Sequence, residues 1–205
     1  MSQNVLIIAE HEDGKLKRSS LEALVPARVL AKASGGQVVA AVLGRDPSGP
    51  AAELADRGAD RVISAAGEHF EPYTPEAYQE ALKALLEKEQ PRWVLAGHTY
   101  RAIDVLPGLA ARFDSAVASD CSALEAGDEV VWVRQPYDAK LNARMRFRGE
   151  PPWFATTQTG AFPADDLPSG HGGAVEAAEL AVDAGALKRK VLEIKSTGDK
   201  AVNLG

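Results

Sequence analysis

Three clusters of residues along the chain carry groups able to do chemistry: Glu10-His11-Glu12-Asp13, Gly97-His98-Thr99 and Ser119-Asp120-Cys121. The first has the ligand types of a metal site. Neighbours within one turn seldom converge on one ion, however, and no second His, Cys or carboxylate cluster supports them, so a solvated turn is the expectation. The second sits where an apolar strand gives way to a helix, and backbone N–H groups at a helix start attract anions. The third offers a hydroxyl, a carboxylate and the single thiol of the chain. His69, His98 and His171 are remote from it in sequence, so Cys121 reads as an inert buried thiol rather than a nucleophile.

Other motifs fall short of a chemical assignment. No G-x-G-x-x-G occurs, which removes the dinucleotide fingerprint. Gly44 and Gly49 have the spacing of a phosphate-binding P-loop, but Pro50-Ala51 stands where Lys and Ser/Thr would hold phosphate and metal, so a plain loop is expected. Lys140, Arg144, Arg146 and Arg148 form a basic strand face that reads as solvated surface, with an acidic partner as the functional alternative. Trp153 and Phe154 read as core.

The elements that position these groups follow an alternating pattern. Val5–Ala9, Val38–Leu43 and Trp93–Ala96 are continuous apolar runs, the signature of strands buried on both faces. Leu21, Leu24 and Val25 recur at helical spacing, with Pro26 expected to bend or divide that helix and Gly35-Gly36 to close it. Ala51 to Arg57 predicts a short helix, Arg61–Ser64 a strand, and Thr74-Pro75-Glu76 a capped start for a helix with Tyr78, Leu82, Leu85 and Leu86 inside. Strand and helix units in alternation predict an α/β fold, a Rossmann-like three-layer sandwich on a mostly parallel sheet. Antiparallel strands are added in the C-terminal half, at Glu129–Arg134 and Lys140–Arg148 around a turn at Tyr137-Asp138. Trp153–Thr157 predicts a further strand, Gly160 to Gly173 a loop, and Val191–Ile194 a last strand.

The 205 residues suffice for one domain, and a net charge of −6 argues against a sequence-independent grip on nucleic acid. Met1 to Asn4 lead straight into the first strand with no signal-peptide pattern, and no apolar run is long enough for a transmembrane segment, so a cytoplasmic protein is expected. Ser196 to Gly205 lack apolar periodicity and read as a linker after a domain of residues 1–195.

In the central block, Gly97, His98 and Thr99 suggest a ligand turn, while Val105-Leu106-Pro107 are read as an apolar helix start and Asp104 as a group that would repel phosphate. Glu10, Gly97, His98, Thr99 and Ser119 are therefore candidates for a vestigial nucleotide cleft, empty or filled by side chains. No catalytic set and no metal site is assigned.

Taken in order, several of these blocks resemble the alpha subunit of electron transfer flavoprotein. The opening Val5-Leu6-Ile7-Ile8-Ala9-Glu10-His11 with Gly14-Lys15-Leu16 is similar to that family's first strand and turn. Gly97 with Thr99, Arg101, Asp104, Pro107 and Leu109-Ala110-Ala111-Arg112 resembles its midsection, and Ser119-Asp120 the strand after it. Arg134, Pro136 and Tyr137, then Thr159-Gly160-Ala161-Phe162-Pro163, resemble its later motifs. The resemblance implies an adenine-nucleotide alpha-hydrolase-like N-terminal domain that docks a beta subunit in a heterodimer. It would support a separate FAD domain, which takes electrons from acyl-CoA or other dehydrogenases to a membrane quinone reductase or another acceptor. The Gly-Gly-Arg-Gly and Gly-Ile-Ser-Gly segments of that FAD domain do not occur in this sequence. FAD is thus expected in the full-length family protein and not on this chain alone. AMP, which the related beta subunit holds, is not expected either. The alternative from another class is a stand-alone universal-stress-type nucleotide-binding module. Tyr100 stands where its second glycine would be, and Leu109 follows Gly108 in place of serine. A small hydrolase, resting on Ser119-Asp120-Cys121 alone, ranks last.

Overall fold

The computed structural model describes residues 2–127, 129–183, 185 and 187–193. Its centre is β1 (Val5–Ala9), every residue of which is buried. It pairs in parallel with β4 (Val38–Gly44) on one side and β6 (Trp93–Gly97) on the other. β5 (Arg61–Ala66) lies outside β4, and β10 (Trp153–Thr157) lies between β6 and β7 (Val117–Ala126), parallel to both. β8 (Val130–Arg134) and β9 (Ala143–Met145) continue that edge antiparallel, and β11 (Ala174–Ala177) adds a parallel strand beyond β5. The result is a nine-stranded sheet, mostly parallel with an antiparallel edge. β2 (His11–Glu12) and β3 (Lys15–Leu16) form a separate hairpin over Asp13-Gly14, both at positive φ.

Strand alternation sorts the core into two layers. Val5, Ile7 and Ala9 face α1 (Arg18–Ser34) and α2 (Ser48–Asp56), while Leu6 and Ile8 face α3 (Pro75–Glu89) and α4 (Tyr100–Ala111). This is the three-layer α/β/α arrangement the alternating pattern predicts. At the antiparallel edge Trp132 is fully buried against Trp93, ring centroids 6.0 Å apart. At the other edge Arg61 ties β5 to Glu89 of α3 at 3.0 Å and to Glu176 of β11 at 3.0 Å.

Several boundaries differ from expectation. α1 runs unbroken through Pro26, which is itself buried. Only the N–H that would have met the Glu22 carbonyl is lost, and the buried Leu24, Ala27, Leu30 and Ala31 offset it. α2 starts at Ser48, inside the expected loop, because Asp46 accepts from the Ser48 amide and hydroxyl at 3.2 and 2.6 Å. Thr74 sits at the start of α3, but its buried hydroxyl makes no cap bond. β9 keeps three residues of the expected nine, and residues 191–193 form no strand; Ile194 lies outside the described residues. Two of the four residues of the basic face are paired locally, Arg144 with Glu125 and Arg146 with Glu129.

Candidate functional site

β1 leads into α1 on one face of the sheet and β6 leads into α4 on the other, so the strand order reverses between these two neighbours. A crevice opens at the carboxyl ends of strands at such a switch. Here it is a cleft of about 780 Å³ lined by Glu10, Lys17, Tyr73, His98, Thr99 and Arg101, among others.

Glu10 follows the last residue of β1 and is 6% exposed. Its backbone is held from α1: its N–H donates to Ser20 Oγ at 2.8 Å, and its carbonyl accepts from the Ser20 hydroxyl and the Lys17 amide. Across the cleft, Thr99 is the N-cap of α4, with its hydroxyl oxygen accepting from the Ala102 amide at 3.1 Å. The same hydroxyl donates to the Glu10 carboxylate. The helix start is therefore capped from within, and a fixed negative charge lies beside it.

Gly97 is explained by packing. A Cβ there would lie 2.5 Å from Ser19 Cβ and 2.9 Å from the Ser19 carbonyl oxygen, so only glycine lets α1 approach the end of β6 this closely. His98 donates its amide to the Thr157 carbonyl at 2.8 Å, and its Nδ1 shares a hydrogen bond of 2.9 Å with Thr156 Oγ1, which also accepts from the Asp120 amide. Asp120 has φ 56 at a register shift in β7, and this Thr156 contact fixes it. Ser119 does not line the main cleft. It faces an adjoining recess of about 550 Å³ shared with His98, Thr156 and Leu106, and receives Arg134 Nη1 at 3.3 Å.

Of the five candidates, the structure thus brings Glu10, His98 and Thr99 together, sets Gly97 behind them and places Ser119 next door. α4 starts at Tyr100, so Val105-Leu106-Pro107 lie in its middle and not at its start; Val105 and Leu106 pack against the sheet. The carboxylates in the cleft wall are those of Glu10 and Asp104. Asp104 lines the same cleft, accepting from the Tyr73 hydroxyl at 3.0 Å; burial, then Asp104, raise the Tyr73 pKa.

Sequence reasoning missed Lys17, Tyr73 and Thr159 as lining residues and did not give Arg101 a site role. Arg101 stacks on Tyr73 and Tyr78, 4.7 and 5.5 Å from their ring centroids, and makes no ion pair among the described residues. Glu22, buried on α1, accepts from the Gly160 amide at 2.9 Å and so fixes the loop that brings Thr159 to the cleft wall.

The other two clusters resolve differently. His11 is buried, unlike the exposed Glu12 and Asp13, because the β2–β3 hairpin folds its ring onto Gly44, where Nε2 donates to the Leu43 carbonyl at 3.1 Å. The Asp-Gly pair at the hairpin turn is the sequence signal for that fold-back. Cys121 is fully buried, its thiol donating to the Ala118 carbonyl at 3.3 Å, and burial pushes its pKa up to about 12. Among the described residues no group of three or more His, Cys, Asp or Glu is placed to hold a metal ion.

A sequence model of the electron transfer flavoprotein domain matches residues 5–184. The chain belongs to this family. It is 28% identical to the electron transfer flavoprotein subunit alpha of Bacillus subtilis (strain 168) over 183 residues, 89% of this chain and 55% of that protein. It is 29% identical to Protein FixB of Clostridium saccharobutylicum over 195 residues, 94% of this chain and 58% of that protein. To the acryloyl-CoA reductase electron transfer subunit beta of Anaerotignum propionicum it is 31% identical over 123 residues, 60% of this chain and 34% of that protein. The chain thus spans little more than half the length of the first two relatives. The electron transfer flavoprotein match encloses all eleven strands and the cleft. No helix of the described residues is long and apolar enough to cross a membrane.

Proposed function

We propose that this chain is the N-terminal, non-flavin domain of an electron transfer flavoprotein alpha subunit. It docks a beta subunit and supports a FAD domain that carries electrons from acyl-CoA or other dehydrogenases to an acceptor, and it performs no bond chemistry of its own. The same reading assigns residues 1–195 to this domain and 196–205, which lie outside the described residues, to a linker.

The family match over residues 5–184 supports the proposal, and the Glu10 carboxylate, buried beside the Thr99 cap, supports its non-flavin part. A nucleotide held at this switch point would set its phosphates at the start of α4, where backbone amides otherwise favour anions. Glu10 and Asp104 put carboxylates there instead. Of the two cations in the wall, Lys17 is paired with Glu12 while Arg101 lies over the Tyr73 and Tyr78 rings, so the cleft disfavours the diphosphate of FAD or the phosphate of AMP. This supports a scaffold over a stand-alone nucleotide-binding module, and no electron-transfer step is assigned to the cleft.

The test is co-expression with the beta subunit, followed by co-purification and calorimetry. A complex should persist at micromolar concentration, and this chain alone should retain neither FAD nor AMP. Absence of any complex, or tight FAD retention by the isolated chain, would overturn the proposal.

A further inference from the structure

After β11 the chain turns back over the domain. The Ala178 amide bonds to the Ser64 carbonyl at 2.9 Å, and Ala178, Leu180 and Val182 pack on the α3/α4 side of the core. Further on, Glu76 Oε2 accepts two successive backbone amides, Lys188 at 2.7 Å and Arg189 at 3.0 Å, while Arg189 Nε lies 3.7 Å from Glu76 Oε1. Val191, Leu192 and Glu193 then border a groove of about 510 Å³ whose other walls include His11, Phe70 and Tyr73. Residues 187–193 lie outside the family match, which ends at residue 184.

We infer that residues 187–193 form a strap over this groove, with Glu76 as its latch, and that release of the latch uncovers the groove. Three observations support it. Lys188, Arg189, Lys190 and Leu192 are exposed, Leu192 at 90%, and Leu187 and Val191 are only partly buried, so apolar burial holds the strap down weakly. Two adjacent amides converging on one carboxylate make a small anion nest, a backbone fastening to which the exposed Arg189 side chain adds a looser ion pair. Glu76 itself is fixed in the first turn of α3, where the helix dipole favours its charge, so the latch is part of the rigid scaffold. A segment with few buried contacts on a stable base opens locally at far lower cost than the domain unfolds.

The inference is independent of whether a beta subunit binds. It is tested on the full 205-residue chain by hydrogen exchange and limited trypsin digestion, comparing wild type with Glu76→Ala and Lys188→Pro. Glu76→Ala removes the acceptor. Lys188→Pro removes one of the two amides without touching α3, and keeps the test decisive if the first variant folds poorly. Exchange in the peptide covering 187–193, and cleavage after Arg189 and Lys190, should accelerate at least tenfold in both variants, while α3 peptides from 77 to 89 stay protected. Equal strap exchange in wild type and either folded variant, or loss of protection spread evenly across α3, would overturn the latch.

Discussion

The hydroxyl of Thr99 joins a helix on one face of the sheet to the end of its central strand, capping α4 through the Ala102 amide while donating to the buried carboxylate of Glu10 just after β1. Thr99→Val removes both bonds at nearly constant volume. Loss of a cap costs about 0.5–2 kcal/mol, and a hydrogen bond to a charged group is worth about 1.5–3 kcal/mol, so urea denaturation should show a loss of about 3 kcal/mol. Thr99→Ser keeps both bonds and should lie within about 1 kcal/mol of wild type.

Much of this frame was legible in the chain because its signals are local. The all-apolar runs that became β1, β4 and β6 could be buried only on both faces, and they order the domain. What escaped reading depends on partners far away. β11 is exposed along its whole length, and only pairing with β5, more than a hundred residues earlier, makes it a strand. Tyr73 reaches the cleft from the loop before α3, a placement that no nearby spacing encodes. The start of α4 was legible, since Thr99 before Tyr100-Arg101-Ala102 is a cap signal, but Val105-Leu106-Pro107 drew the reading too far along the chain.

Glu10→Gln tests the charge argument directly. The amide can still accept from Thr99, so the fold should persist, while the negative charge beside the helix start is gone. A charge at a partly buried helix end is worth up to about 2 kcal/mol, so the affinity for AMP should rise by about tenfold over wild type in calorimetry. Tighter AMP binding by wild type than by the variant would show that Glu10 does not bar phosphate.

Cys121 supplies an alkaline signature. Burial raises its pKa from 9.0 to about 12, so the folded state keeps a proton that the unfolded state releases. The unfolded state thus binds fewer protons from pH 9 upward, and stability falls with rising pH across that window, by up to about 1.4 kcal/mol per unit. Tyr73 and Tyr78, both raised by burial, add to the fall above pH 10. Denaturation midpoints should therefore decline from pH 9, and Cys121→Ala should flatten the first part of the decline. At pH 8 the native thiol should react with iodoacetamide about a thousandfold more slowly than in urea, from thiolate fraction alone.

Gly97→Ala probes the close approach that sets the cleft's geometry. The added methyl would stand 2.5 Å from Ser19 Cβ and 2.9 Å from the Ser19 carbonyl oxygen, and the latter is backbone of α1 that cannot rotate away. Either α1 or the end of β6 must shift, and overpacking of this kind costs about 1–3 kcal/mol. Ser19→Gly removes the side-chain half of the clash and leaves the carbonyl, so the double variant should recover only part of the loss. Because Ser20, next on α1, holds Glu10, the displacement should also loosen the Thr99 contact. The cost of Thr99→Val should accordingly be smaller in the Gly97→Ala background than in wild type. A double-mutant cycle by urea denaturation checks this: strictly additive losses would mean that the glycine and the Glu10–Thr99 bridge are not mechanically coupled.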